Sequence, residues 1–111
     1  MSALTKLEVT KPKTISIVVP VYQGNLTLKT LVSQISRVRD ELKSRPDNAY
    51  SIDEVILVDD YSQDGSSSLI NELSSQHEWI RPIWLSRNYG QHAATLAGMS
   101  SSRCEWVVTM D

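Results

Sequence analysis

Long apolar runs, paired cysteines and an excess of basic charge are all missing from this 111-residue sequence. The single cysteine, Cys104, excludes an internal disulfide and by itself makes no metal cluster. No apolar stretch approaches the roughly 20 residues needed to cross a bilayer, and no signal-peptide pattern is visible. The net charge of -2 argues against a general nucleic-acid binder, which would usually be strongly basic. The default expectation is a protein of the reducing cytosol.

The composition, 41% hydrophobic and 22% charged, fits one globular domain with a small core. Apolar and β-branched segments predict strands at 14–19, 54–58, 80–85 and 105–111. Apolar spacing predicts a helix from an N-cap at Asn25 or Thr27 to Leu42, and shorter helices at 66–76 and 91–101. Strand and helix alternate, which predicts an α/β, Rossmann-like half-domain of parallel strands, truncated at the fourth strand. It would occupy residues 14–111, behind a flexible lead-in at 1–13.

The first candidate site follows the first strand, at Val19-Pro-Val-Tyr22. Ligands of open α/β sheets bind outside the carboxyl ends of the strands. Tyr22 offers a flat face with a polar end there, against which a nucleobase can lie, and Pro20 is expected to end the hydrogen-bonded ladder. The alternative is that Tyr22 covers the end of the sheet and Pro20 only shapes a turn. The local residues by themselves favour this alternative.

Two adjacent acids, Asp59 and Asp60, follow the second strand. A carboxylate at this place can accept a hydrogen bond from a base N–H or a ribose hydroxyl. Two neighbouring side chains cannot point the same way, so we expect Asp59 to face the ligand and Asp60 to tie down the turn. Asp64, Gly65 and Ser66 suit a turn and a helix cap. The alternative is that all of these residues only shape and cap the turn.

The third candidate is the segment Arg87-Asn-Tyr-Gly90-Gln-His92, between the third strand and a helix. Arg87 can neutralise a diphosphate, and free N–H groups at the start of a helix favour anions. Gly90 would permit close approach of the backbone. The alternative is that Arg87 is an ordinary surface charge, and His92 is more readily explained as a helix-surface residue than as a ligand contact.

The fourth candidate is Asp111, at the end of the fourth strand. Hard divalent cations prefer carboxylate oxygens and bind phosphate-bearing substrates with few protein ligands. One aspartate does not make a metal site, so downstream neighbours would have to complete it.

Taken in order, these stretches resemble the family 2 glycosyltransferases with the GT-A fold. The segments that carry the resemblance are Ile15-Ser-Ile-Val-Val-Pro-Val-Tyr22, Val55-Ile-Leu-Val-Asp-Asp-Tyr-Ser-Gln-Asp-Gly-Ser66, Leu85-Ser-Arg-Asn-Tyr-Gly-Gln-His92 and Trp106-Val-Val-Thr-Met-Asp111. Each segment alone is weak evidence for the family, and the four segments in this order are specific evidence for it. The third segment, followed by Ala97-Gly98, resembles the polyprenyl-phosphate sugar transferases of the dolichyl-phosphate mannose, undecaprenyl-phosphate glucose and formamido-arabinose types.

This resemblance implies the nucleotide-binding half of a GT-A domain. The donor would be a nucleotide-diphosphate sugar, with a UDP-sugar favoured, and the acceptor a lipid phosphate. Pro20 and Tyr22 would line the nucleoside site, and Asp59 would contact the base. Arg87 and Gly90 would lie near the donor. The full-length enzyme would work in the cytoplasm or at the cytoplasmic face of a membrane.

The resemblance also implies that Asp111 is the first acid of an Asp-x-Asp motif, which holds Mg²⁺ or Mn²⁺ on the diphosphate. The second acid of that motif, the acceptor-side residues and any general base lie outside the sequence. We therefore expect these residues alone to have no measurable transferase activity. Gln23-Gly24 also departs from the Asn-Glu that usually follows the tyrosine, which removes an acid from the donor pocket.

Two other interpretations stay open. One is a naturally truncated, inactive paralogue that serves as a nucleotide-binding or interaction module. The other is a receiver-like signalling domain, which fits poorly because it requires an acid pair after the first strand, where this chain has Pro20-Val-Tyr22. An exposed parallel strand at the edge of the sheet also predicts association with other chains.

Overall fold

A computed structural model describes residues 11–110, which form a four-stranded sheet with helices on both faces. In chain order the elements are β1 (Lys13–Val21), α1 (Leu28–Ser44), β2 (Tyr50–Asp59), α2 (Ser66–Gln76), β3 (Ile80–Trp84), α3 (Gln91–Ser101) and β4 (Trp106–Thr109). The strands lie in the order β3-β2-β1-β4, and each neighbouring pair is parallel. This confirms the predicted α/β class of parallel strands alternating with helices.

Two of the sequence predictions fall outside the described residues. Most of the expected lead-in at 1–13 lies there, and so does the expected metal ligand Asp111. Within residues 11–110, no helix is long and apolar enough to span a membrane.

The predicted helix bounds hold better than the predicted strand ends. The helices at 66–76 and 91–101 are confirmed. β2 begins at Tyr50 rather than Glu54, and β4 ends at Thr109 rather than Asp111. The ends of a strand depend on its pairing with a neighbouring strand, and the register of that pairing cannot be read from the sequence.

Pro20 does not end β1, which continues to Val21. The carbonyl of Val18 accepts a hydrogen bond from the Met110 N–H at 2.9 Å, so Val18 faces β4. Pro20 lies two residues further on, and its position on the backbone therefore faces the same side. The next hydrogen bond of the β1–β4 ladder would run from the N–H of residue 20 to the Met110 carbonyl, and proline has no N–H. Pro20 therefore ends the pairing with β4 at Val18, as expected, while the pairing with β2 continues to Val21.

Side-chain alternation divides the core between the two faces of the sheet. α1 and α2 cover one face, where the buried side chains are Ile17, Val19, Val21, Leu28, Val32, Ile35, Ile52, Val55, Leu57, Ile70, Leu73 and Ile80. α3 covers the other face with a smaller cluster, Val18, Ile56, Val58 and Ala94. Near the end of β2, odd-numbered residues therefore face α1 and α2, and even-numbered residues face α3.

The strand order separates this fold from the receiver-like alternative. Receiver-like sheets have the order 2-1-3-4-5, with β1 between β2 and β3. Here β1 lies between β2 and β4, as in the 3-2-1-4-5-6 order of dinucleotide-binding sheets. The receiver-like interpretation is therefore wrong. β3 lies at an edge of the described sheet, where a proline such as Pro82 is tolerated.

A buried polar network lies near the starts of β3 and β4. Glu54 is 5% exposed, and its carboxylate accepts hydrogen bonds from Ser16 Oγ at 2.5 Å and Arg81 Nη1 at 2.5 Å. It also accepts one from the Arg103 N–H at 2.7 Å. Arg81 Nη1 donates in addition to the Ser101 carbonyl at 3.0 Å. One carboxylate therefore ties β1, β2 and β3 to the connection between α3 and β4.

Candidate functional site

A cleft opens at the carboxyl ends of β1 and β2, where they meet the start of α3. Its volume is about 380 Å³, and it is lined by Pro20, Val21, Tyr22, Asp60, Asn88, Gly90 and Gln91. Small-molecule sites are typically about 300–1,000 Å³, so the cleft is large enough for part of a nucleotide. The structure thus brings together three residues predicted to bind the donor, namely Pro20, Tyr22 and Gly90. Tyr22 is 52% exposed, which leaves its ring accessible.

Asp60 is the acid that lines this cleft. It is only 3% exposed. Its Oδ1 accepts a hydrogen bond from the Tyr89 N–H at 2.7 Å, and its Oδ2 accepts one from the Gly90 N–H at 2.9 Å. Gly90 has a φ of 95°, a left-handed value that favours glycine. A buried carboxylate therefore holds the loop before α3 against the end of β2.

Asp59 is equally buried, but its carboxylate lies on the other face of the sheet. It accepts hydrogen bonds from Ser67 Oγ at 2.6 Å and from the Ser62 N–H at 3.3 Å, and it does not line the cleft. The structure therefore reverses the expected division, because Asp59 ties down the turn and Asp60 faces the cleft. Alternation is the reason, since Asp59 continues the face of β2 that packs on α2. A base contact by Asp59 stays a prediction that this placement does not favour.

Arg87 is exposed and lies outside the lining of the cleft. Its guanidinium carbon is 5.6 Å from the centroid of the Tyr89 ring, a cation–π contact. The Tyr89 and Gly90 N–H groups, which precede α3, donate to Asp60, so they are not free for an anion. An anion at the first N–H groups of α3 itself stays a prediction. A role for Arg87 near the donor stays a prediction, and His92 is exposed at the start of α3.

The turn after β1 is bound directly to the loop after β2. The Gln23 N–H donates to Ser62 Oγ at 2.9 Å, and the Gln63 N–H donates back to Gln23 Oε1 at 2.7 Å. The Gly24 N–H donates to Ser66 Oγ at 2.8 Å. The departure at Gln23-Gly24 therefore does not leave this turn loose, because both residues join it to the neighbouring loop.

Asp64 completes this junction. Its carboxylate accepts hydrogen bonds from Ser66 Oγ at 2.5 Å, from the Ser66 N–H at 3.1 Å and from the Asn25 N–H at 3.2 Å. The hydroxyl hydrogen bond from Ser66 is the main reason that the pKa of Asp64 is lowered. These contacts confirm the predicted turn at Asp64, and the N-cap of α2 is Gly65. They make the first two loops of the cleft one unit.

The described residues do not by themselves fit a divalent cation. Within residues 11–110, no group of three histidine, cysteine, aspartate or glutamate side chains is placed to hold a metal ion. Asp60, the acid at the cleft, already accepts an N–H hydrogen bond on each oxygen. The binding of Mg²⁺ or Mn²⁺ stays a prediction that depends on Asp111.

Three polar lining residues were not predicted as ligand contacts from the sequence, namely Asp60, Asn88 and Gln91. The signal for Asp60 was available, because the two-residue alternation of β2 decides which acid shares a face with α3. Asn88 and Gln91 flank Gly90, and only the fold shows that this loop turns toward β1. Asn88 Oδ1 accepts a hydrogen bond from the Gly90 N–H at 3.0 Å, which orients its amide at the cleft.

Tyr61, next to Asp60, has a left-handed backbone with a φ of 61°. Such a conformation costs a bulky residue about 1 kcal/mol or more, whereas asparagine tolerates it. The Tyr61 side chain is 50% exposed, so its loss removes little packing. We expect Tyr61→Asn to raise the free energy of unfolding by about 0.5–1 kcal/mol, measured by urea denaturation.

Tyr50 provides the control for this substitution. It is 47% exposed in β2 and has no positive φ. Tyr50→Asn should therefore lower the free energy of unfolding, because asparagine is unfavourable in strands. A loss of stability in Tyr61→Asn as large as that in Tyr50→Asn would contradict the backbone strain.

Residues 16–111 match the family described as Glycosyl transferase family 2. Proteins of Aeromonas hydrophila, Pseudomonas fluorescens and Yersinia enterocolitica, each named undecaprenyl-phosphate 4-deoxy-4-formamido-L-arabinose transferase, are 37% identical to the chain. The matches cover 89%, 87% and 91% of this chain, and 28%, 27% and 29% of the respective relatives. The chain thus spans less than a third of their length.

Solved structures with a similar fold include S. aureus TarS 1-349, alone and in complex with UDP. Each has a TM-score of 0.69 at 19% sequence identity, and the likeness covers 88% of this chain and 27% of the TarS chain. At this identity the likeness shows a common fold. It confirms the GT-A fold that the four sequence segments predict.

Proposed function

Because this chain belongs to glycosyl transferase family 2, we propose that it forms the nucleotide-sugar-binding part of an enzyme that transfers a sugar to a polyprenyl-phosphate lipid. The relatives named for undecaprenyl phosphate support this acceptor class. The chain spans less than a third of those relatives, so the whole reaction belongs to the whole enzyme, at the cytoplasmic face of a membrane. We expect this chain alone to show no measurable transfer.

The observation that carries the proposal is the cleft between β1, β2 and the start of α3. It lies at the carboxyl ends of the strands, where sheets of this order bind nucleotides. A half-exposed aromatic ring, Tyr22, and a buried acid, Asp60, line the same cleft. The two groups together suit a nucleobase, because the Tyr22 ring can cover the face of the base and the Asp60 carboxylate can accept a hydrogen bond from its edge.

Asp60 has capacity for such a contact despite its internal hydrogen bonds. Each oxygen of a carboxylate carries two lone pairs, and one on each is used by the N–H groups of Tyr89 and Gly90. The remaining lone pairs can accept a ring N–H of uracil or guanine. Adenine has no ring N–H on that edge, so an adenine nucleotide should bind more weakly.

In the proposed reaction, an oxygen of the acceptor phosphate forms a bond to the anomeric carbon of the sugar. The bond from that carbon to the nucleoside diphosphate breaks, and its electron pair leaves with the diphosphate. The residues described here contribute the binding and orientation of the donor through Tyr22, Asp60 and Gly90. The assignment of Arg87 to the donor is part of the same proposal.

Calorimetric titration of the chain with UDP, GDP and ADP tests the binding proposal. We expect UDP to bind with a dissociation constant of about 1 mM or tighter, and ADP to bind at least fivefold more weakly. Equal binding of all three nucleotides, or no binding of UDP at several times that concentration, would reject a base-reading cleft. Titrations with and without Mn²⁺ test the proposed metal ligand Asp111 separately.

The two adjacent acids supply a matched pair of variants for that titration. Asp60→Ala should weaken UDP binding at least tenfold, and Asp59→Ala should change it less than threefold, provided that circular dichroism shows both variants folded. The opposite result would restore the base contact to Asp59 and remove it from Asp60.

A further inference from the structure

Tyr22 is held at the cleft by its backbone rather than by packing around its ring. The residue is 52% exposed and borders two recesses, the cleft of about 380 Å³ and a second recess of about 200 Å³ beside α1. The residue before it, Val21, is buried, and its carbonyl accepts a hydrogen bond from the Asp60 N–H at 2.8 Å. Whether the ring stays at the cleft therefore depends on what fixes the chain after Tyr22.

Gln23 fixes the chain on that side with two hydrogen bonds to the loop after β2. Its N–H donates to Ser62 Oγ at 2.9 Å, and its side-chain Oε1 accepts from the Gln63 N–H at 2.7 Å. Gln23 is exposed and does not line the cleft, so its side chain neither fills the core nor contacts a ligand there. The contribution of this side chain is the link between the two loops.

Two left-handed residues mark the same junction. Gln23 has a φ of 57° and directly follows Tyr22. Tyr61 has a φ of 61° and directly follows Asp60. Such a backbone costs energy in a residue other than glycine, and it persists only where the surrounding structure enforces it. Each of the two residues proposed to contact the base is thus followed by a strained residue, and the two strained loops are hydrogen-bonded to each other.

We propose that Gln23 is a positioning residue, which holds Tyr22 in place for the nucleobase through its link to the loop that carries Asp60. This inference rests on the function proposed above and adds to it a residue outside the lining of the cleft. Without the link, Tyr22 and its loop would have to be ordered when the nucleotide binds. Ordering a side chain on binding weakens the affinity by about two- to tenfold.

Calorimetric titration of the 111-residue chain with UDP measures this effect. Gln23→Met keeps the length of the side chain but has no oxygen to accept the Gln63 N–H, and it should weaken UDP binding by about three- to tenfold. Gln63→Ala is the matched control, because it removes a side chain of the same kind from the partner loop but keeps the N–H that donates to Gln23. It should bind UDP within about twofold of the unmodified chain. Gln23→Met binding as tightly as Gln63→Ala, with both folded by circular dichroism, overturns the proposal.

A measurement without nucleotide separates this inference from the proposed function. Nitrogen-15 relaxation gives the order parameter of the Tyr22 N–H, which is about 0.85 in a rigid backbone and below about 0.6 in a flexible one. Gln23→Met should lower it by about 0.1 or more, and Gln23→Glu, which keeps the acceptor oxygen, should restore it. The Leu57 N–H in β2 is the internal reference and should not change.

The two measurements together assign every outcome. An unchanged order parameter of Tyr22 in Gln23→Met overturns the positioning role, even where the unmodified chain binds UDP. A chain that binds no UDP overturns the proposed function instead, and the relaxation result then still decides whether Gln23 orders Tyr22.

Discussion

Gly98→Ala should destabilise the protein by about 2 kcal/mol, although alanine is the better helix former. A Cβ atom at Gly98 would lie 2.3 Å from Val18 Cγ1 and 3.0 Å from Val58 Cγ2. Both valines are fully buried in the sheet, so neither can move aside. Overpacking a core typically costs about 1–3 kcal/mol, and this contact belongs at the upper end. The helix propensity of alanine returns about 1 kcal/mol.

The measurement is urea denaturation of Gly98→Ala beside Ser100→Ala, an exposed position of the same helix. The control should gain a few tenths of a kcal/mol or stay unchanged. If Gly98→Ala behaves like the control, α3 does not approach the sheet as closely as the structure shows.

Removing the facing side chain should rescue the variant. Val18→Ala alone leaves a cavity, but in the double variant the methyl group of Ala at position 98 occupies part of it. The losses of unfolding free energy in Gly98→Ala and in Val18→Ala should therefore sum to at least about 1 kcal/mol more than the loss in the double variant. Strict additivity would mean that Val18 is not what excludes a side chain from Gly98.

Local signals predicted much of this fold. Ser66–Gln76 and Gln91–Ser101 were predicted as helices because each combines a turn or cap before it with apolar residues at helical spacing. The parallel sheet followed from the alternation of predicted strands and helices. These features depend on neighbours within a few residues, which the sequence displays directly.

The errors arose where a second element decides the outcome. Pro20 ends only the pairing of β1 with β4, and β1 continues to Val21 because the pairing with β2, on the other side, does not use the N–H of residue 20. Asp59 was expected to face the ligand, whereas α3 lies on the Asp60 side of the sheet. Gly98 was noted only as part of a resemblance, since its closeness to Val18 exists only once α3 packs on β1.

Glu54 was predicted only as the first residue of an apolar strand, and nothing in its local sequence marks it as buried. Its partners Ser16, Arg81 and Arg103 come from three other segments of the chain. Their separation in sequence ranges from 27 to 49 residues, so only the finished sheet brings them together. A buried acid with all of its partners in place is a liability when one partner is lost.

Glu54→Gln should consequently lower the free energy of unfolding by about 3 kcal/mol. The substitution keeps the size of the side chain but removes its charge, and one oxygen acceptor becomes an N–H₂ donor that faces other donors. Breaking a buried ion pair on one side typically costs about 3–5 kcal/mol, and the partial exposure of Arg81 places this site at the lower end. Glu72→Gln, at an exposed position of α2, should change stability by less than 0.5 kcal/mol or so. Urea denaturation at pH 7 measures both.

The same network should make the fold sensitive to acid. Burial acts to raise the pKa of Glu54. Hydrogen bonds from Ser16, from the Arg103 N–H and from Arg81, together with the charge of Arg81, outweigh the effect of burial and leave this pKa below its usual value of 4.5. A carboxyl whose pKa is depressed on folding stabilises the protein above its unfolded pKa, and this contribution is lost as the pH falls through the folded value. The native protein should therefore lose stability steadily below about pH 4.5.

Glu54→Gln has no such group to titrate, so its free energy of unfolding should fall less steeply between pH 5 and pH 3, as followed by urea denaturation at each pH. Parallel curves for the two proteins would show that other carboxylates cause the acid sensitivity.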